Sequence, residues 1–107
     1  MNAFIIYKSA SFAPTNPYIQ IVHVKSGKVW DVTNEVLSAA PTYANTDIAL
    51  ALNAYYNGYP VVIPEDLPAG EYDVVVKDGA SPANSDAATF GRRLEWDGAN
   101  ISNLRDI

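Results

Sequence analysis

The sequence predicts an all-β fold, an antiparallel sandwich of about seven short strands. Three observations carry this expectation. Branched and aromatic residues gather in short runs such as YIQIVHVK and EYDVVVK, the composition that fits a pleated, half-buried surface. Within several runs apolar and polar side chains alternate, the period of a strand with one buried face. Gly, Pro, Asn and Asp then interrupt the runs at close intervals, where a chain reverses direction.

Ala3 to Lys8 (AFIIYK) reads as a first short strand. Pro14 and Pro17 exclude a helix or a central strand from the following SASFAPTNP, which is expected as an extended arm. The domain boundary is accordingly drawn with residues 1–17 as strand and arm and 18–107 as the sandwich. Tyr18 to Lys25 is the clearest strand, and Ser26-Gly27 turns it into a return at Val29 to Val32. Asn34 to Ala40 has the composition of a helical turn that Pro41 would stop. Ile48 to Leu52 places Ile48, Leu50 and Leu52 on one strand face, although its alanines also favour helix.

Tyr55 to Ile63 is expected as a strand entered through a bend at Gly58 and Pro60, and Pro60 implies an edge position or a strand start. In Glu71 to Lys77 the alternation points Tyr72, Val74 and Val76 inward and Glu71, Asp73 and Lys77 outward. A polar loop, DGASPANSD, leads to Thr89–Asp97, where Phe90, Arg92, Leu94 and Trp96 share a face. After the Asp97-Gly98 turn, NISNLRDI offers a last short strand or a docking arm. Gly70, Tyr72 and Val74 stand at the spacing of the immunoglobulin tyrosine corner, with Val74 in the place of the cysteine. The fold class is therefore an antiparallel Ig-like β-sandwich with extended terminal arms, and Trp30, Gly70, Tyr72, Val74 and Trp96 are its expected structural residues.

Composition excludes several functions. With 107 residues the chain suits a single domain. A net charge of −5 and only 7 Lys and Arg leave no basic footprint for nucleic acid or an anionic membrane surface. The chain has no cysteine, which removes disulfides, thiol catalysis and Cys-based zinc sites. MNAFIIYK lacks the basic start of a signal peptide, and no apolar run is long enough to span a bilayer.

A search for chemistry yields little. The single histidine, His23, lies in the best strand on the face of Ile19 and Ile21, and no G-x-S-x-G elbow accompanies it. Asp78, Ser81, Asn84, Ser85 and Asp86 carry oxygen atoms that suit Ca²⁺, but they lack an EF-hand spacing, and a turn held by its own Asp and Asn hydrogen bonds is the favoured reading. Glu65-Asp66 with Glu71 and Asp73 forms an acidic patch whose default is a solvated edge. No catalytic residue, metal or cofactor is expected. The candidate contacts are instead surfaces: Phe4, Ile6 and Phe12 on the arm, the tyrosines Tyr55, Tyr56 and Tyr59, and Asp78, Asn84 and Asp86 in the loop. Tyrosine is a common protein-binding and sugar-stacking residue. Arg92 and Arg93 must point to opposite faces, one toward an acidic strand neighbour, and Arg93 is a candidate for an intersubunit ion pair.

From Ile19 to Gly98 the chain resembles a group of short proteins of tailed bacteriophages and prophages. The resemblance lies in an ordered set: SGKVWDV, then YANTDIALALNAYYNGYPVVIPEDLPAGEYDVVVKDGASPANSD, then GRRLEWDG. It implies a non-enzymatic virion protein on an Ig-like scaffold, with no family catalytic residue to carry over. Its implied partners are the major capsid protein or other virion proteins, as a homo-oligomer or bound to a lattice. Capsid cement or decoration is the first expectation; a tail, baseplate or head–tail adaptor role and a carbohydrate-binding module are the alternatives.

Overall fold

The computed structural model describes residues 1–78 and 90–107, with Tyr43 described by its backbone alone. Among these residues run nine strands: β1 (Ala3–Tyr7), β2 (Pro17–His23), β3 (Val29–Asp31), β4 (Val36–Ser38), β5 (Ile48–Ala49), β6 (Gly58–Val62), β7 (Gly70–Asp78), β8 (Phe90–Trp96) and β9 (Ile101–Asp106). One helical turn, α1 (Tyr43–Thr46), accompanies them. The strands form two antiparallel sheets packed together. The larger has the order β4-β3-β2-β7-β8-β9, with β5 also pairing β2; the smaller is β1-β6. The all-β sandwich is thus present, with nine strands rather than seven.

The centre of the large sheet follows directly from alternation. β2 and β7 pair from Pro17↔Asp78 to His23↔Tyr72, and β7 and β8 pair from Gly70↔Trp96 to Val76↔Phe90. Ile19, Ile21, Tyr72, Val74, Val76, Leu94 and Trp96 therefore face one way and are buried. The small sheet covers them with Phe4, Ile6, Tyr59 and Val61, and Trp30, Ile63 and Leu67 complete the core. Fully burying side chains of this size stabilises the fold by about 1.5–3 kcal/mol each.

The tyrosine corner is present. The Tyr72 hydroxyl donates to the Pro68 carbonyl at 2.6 Å, four residues back. Burial pushes the phenol pKa up, because the ionised form would lose its hydration. Gly70 leaves room for the His23 ring: a Cβ there would sit 3.1 Å from Nε2. That ring also packs on Tyr72, with centroids 5.2 Å apart. Trp96 is pinned to the same turn by its indole N–H, which donates to the Leu67 carbonyl at 2.8 Å.

Two local expectations fail for identifiable reasons. Asn34–Ala40 is not helical: the chain turns through Glu35 at φ 56 and returns as β4. The Asp31 carboxylate holds that turn by accepting the N–H groups of Thr33 at 3.0 Å and Asn34 at 2.9 Å, which removes those donors from any helix. Of Ile48–Leu52 only Ile48–Ala49 pairs as a strand. Ile48 and Leu50 pack on the core while Leu52 is exposed.

The arm is likewise integral. β1 pairs with β6 along its length, from Ala3↔Val62 to Tyr7↔Gly58. Beyond it, Ser9 and Phe12 exchange backbone hydrogen bonds. Phe12 wedges edge-on between Tyr59 and Phe90, at 5.8 and 4.7 Å between ring centroids. Asp78 then accepts the N–H of Asn16 at 2.9 Å and, more weakly, of Thr15 at 3.4 Å. Residues 1–17 are therefore part of the sandwich, not a separate arm, because β1 supplies one of the two strands that close the core. The tail is also a strand: β9 pairs with β8, with a bulge between Arg93 and Glu95.

Candidate functional site

Burial removes three of the expected surface residues. Phe4, Ile6 and Tyr59 are core side chains, because the β1–β6 register turns them toward the large sheet. Phe12 is half-buried against that core. Asp78 is engaged with the arm backbone, so its carboxylate serves as a staple. Asn84 and Asp86, with Ser81 and Ser85, lie outside the described residues.

Arg93 is not a free charge. Its guanidinium grips Asp73 in bidentate fashion, at 2.7 and 3.0 Å, and Asp73 in turn raises the Arg93 pKa. Arg92 pairs with Asp106 at 3.1 Å and lies over the Phe90 ring. Arg105 pairs with Glu71 at 2.8 Å. Of the expected acidic patch, Glu71 and Asp73 thus sit in cross-strand ion pairs on the outer face of the large sheet.

What remains exposed is a different set. Turning Phe4, Ile6, Tyr59 and Val61 inward turns Ala3, Ile5, Tyr7, Pro60 and Val62 outward. Tyr7 is 64% and Val62 60% exposed. Neither β1 (AFIIY) nor β6 (GYPVV) carries a charged residue. A sheet that is apolar on both faces is the pattern of one covered on both faces, whereas an antiparallel sheet with a wet face alternates. The outer face of β1–β6 therefore reads as a contact surface.

A tyrosine turn borders it. Asn53 and Gly58 exchange two backbone hydrogen bonds, at 2.7 and 3.3 Å. The Asn53 side chain accepts the N–H groups of Tyr55 at 3.0 Å and Tyr56 at 3.3 Å. Asn57 completes the reversal at φ 51, a conformation that Asn tolerates well. The turn thus displays Tyr55 and Tyr56, 88% and 48% exposed, with their rings edge-to-face at 5.0 Å. Register sets Tyr7 opposite Gly58, so the turn continues the apolar face. Sequence reasoning marked the tyrosines but missed Tyr7 and Val62. The uncharged outward positions of both strands were the available signal.

Potential catalytic groups are occupied structurally. His23 Nδ1 and the Ser26 hydroxyl are 2.6 Å apart, and the Ser26 N–H also points to Nδ1 at 3.3 Å. Nδ1 is therefore the acceptor, and the pair locks the β2–β3 turn. Among the described residues no carboxylate hydrogen-bonds this ring, and no three His, Asp or Glu side chains converge to hold a metal. Asp31 and Asp97 have pKa values below the usual carboxylate range. The largest causes are the N–H groups of Asn34 and Asn100, respectively, donating to them. These carboxylates hold turns.

Comparison with known protein families, with curated proteins and with solved structures finds no match.

Proposed function

We propose that this chain is a non-enzymatic virion structural protein that docks on a protein lattice through the outer face of the β1–β6 sheet, most simply as a capsid cement or decoration protein. The observation that carries this reading is the uncharged outer face formed by Ile5, Tyr7, Pro60 and Val62, extended by Tyr55 and Tyr56. Interface cores are poor in charge and rich in aromatic residues. A repeating lattice multiplies many modest contacts of this kind. The sequence resemblance supplies the setting, a tailed-phage particle, where the protein would be assembled in the host cytoplasm and retained on the major capsid protein.

Two lysines on this face, Tyr7→Lys and Val62→Lys, test the reading. The variant should keep its melting temperature, since both side chains are exposed, yet fail to bind particles that lack the protein. Undiminished binding would refute the docking face. Particle imaging separates the alternatives: a copy number far below that of the capsid protein would move the protein to the tail, baseplate or adaptor.

The exposed pair Tyr55–Tyr56 favours one second reading, carbohydrate binding for host adsorption, because both rings reach solvent on a stiffened turn. A glycan array with no signal above background would remove it.

A further inference from the structure

Sheet edges present unpaired backbone groups, and proteins usually guard them with prolines, charges, bulges or shortness. Here β4 and β5 are only three and two residues long. β9 is bulged, has Asn103 at φ 52, and ends in Arg105 and Asp106. The outer edge of β6 is blocked, because Gly58 is bonded to Asn53 and Pro60 has no N–H. β1 differs. Ile63 donates to the Asn2 carbonyl and Lys8 to that of Asn57, so the ladder directs the backbone groups of Phe4 and Ile6 to β6. Those of Ala3, Ile5 and Tyr7 therefore point to the opposite edge. Among the described residues β9 engages this edge only at Met1; from Ala3 to Tyr7 no strand pairs there, and the edge has no proline, charge or bulge.

This edge opens onto a cleft. At one end β1 meets β9, where the Ile101 N–H donates to the Met1 carbonyl at 2.7 Å. Toward the other end a groove of about 630 Å³ opens, with Tyr7, Phe12 and Phe90 beside Ser9, Ser11 and the Arg92–Asp106 ion pair in its lining. The cleft is bridged at the Met1 end by the Ile101–Met1 bond and is open at the Tyr7 end, where an extended chain can enter.

We propose that the free edge of β1 receives an extended segment of a partner protein as an added strand. The backbone of that segment pairs with Ala3, Ile5 and Tyr7. Its groove-side side chains lie against Phe12 and Phe90, beside the Arg92–Asp106 pair. Backbone pairing gives such addition its affinity, and the pockets under alternate side chains give it specificity. This molecule, with its own first strand committed to the core, therefore accepts a strand rather than donating one. The inference rests on the fold alone and stands whether or not the partner belongs to a virion.

The test titrates the isotope-labelled full chain with a synthetic acetylated Thr-Val-Thr-Val-Thr-Val amide and follows amide signals and their hydrogen exchange. Saturable shifts and slowed exchange are expected at Ala3, Ile5 and Tyr7, with Phe4 and Ile6 unchanged because they already bond to β6. N-methylation of alternate peptide groups should weaken binding about tenfold or more by deleting backbone hydrogen bonds. Ile5→Pro should abolish binding, since it removes an N–H that β6 does not use. Absence of saturation, equal binding of the N-methylated peptide, or protection at β4 or β9 instead would overturn the proposal. The peptide pair leaves the protein unaltered, so the comparison holds whether or not Ile5→Pro folds.

Discussion

Tyr72→Phe removes one oxygen atom and nothing else. That oxygen is the donor of the 2.6 Å bond to the Pro68 carbonyl, and the tyrosine is wholly buried. A net hydrogen bond of this kind contributes about 1 kcal/mol, with up to about 2 kcal/mol lost if the carbonyl is left without a partner. For a domain of this size 1 kcal/mol moves the melting temperature by about 4–8 °C. Urea unfolding followed by the fluorescence of the buried Trp30 and Trp96 would measure the loss at neutral pH. The pH dependence provides a second, independent signature. Burial raises the Tyr72 pKa in the folded state above its unfolded value near 10. The stabilising contribution is therefore complete below the unfolded pKa and is lost as pH rises toward the folded one, because only the unfolded chain can release this proton. The slope for one proton is at most about 1.4 kcal/mol per pH unit. The wild-type advantage over Tyr72→Phe should be constant from pH 6 to about pH 9 and shrink above about pH 10. An unchanged melting temperature at neutral pH, or an advantage that grows in alkali, would refute the corner as a stabilising device.

Ile6→Ala should cost about 2–5 kcal/mol, the range for emptying a well-packed core site, and removal of residues 1–7 should abolish cooperative unfolding. Retention of a sharp transition after that deletion would show β1 to be dispensable. In acid, the depressed carboxyls of Asp31 and Asp97 act in the opposite sense to Tyr72: their folded pKa values lie below the unfolded ones, so their contribution is present above the ordinary carboxylate pKa and lost as pH falls below it. Urea midpoints should therefore drop from pH 5 toward pH 3, and Asp31→Asn should flatten part of that drop. An Asp31→Asn profile parallel to the wild type would show that the turn does not depend on the ionised carboxylate.

Much of the sandwich was legible because its central strands obey a local rule. In β2, β7 and β8 a period of two sorts side chains into two faces; from spacing alone it placed Tyr72, Val74 and Val76 inward and set Leu94 and Trp96 on one shared face. The tyrosine corner was legible for the same reason, since donor and acceptor are four residues apart. Composition and charge narrowed the function classes by chemistry that needs no coordinates. What tertiary structure alone decided are relations between distant residues. β1 and β6 are apolar on both faces, so alternation could not say which side of Phe4, Ile6 or Tyr59 meets the core; only the pairing of Ala3–Tyr7 with Gly58–Val62 settles it. Pro14 and Pro17 signalled an extended segment correctly, but extension does not distinguish a free arm from one wedged by Phe12 and tied to Asp78. The partners of Arg92 and Arg93 likewise depend on which acids the neighbouring strands bring alongside. The docking face and the open edge of β1 belong to this second class, because a surface exists only once the fold has chosen which side of a strand to bury.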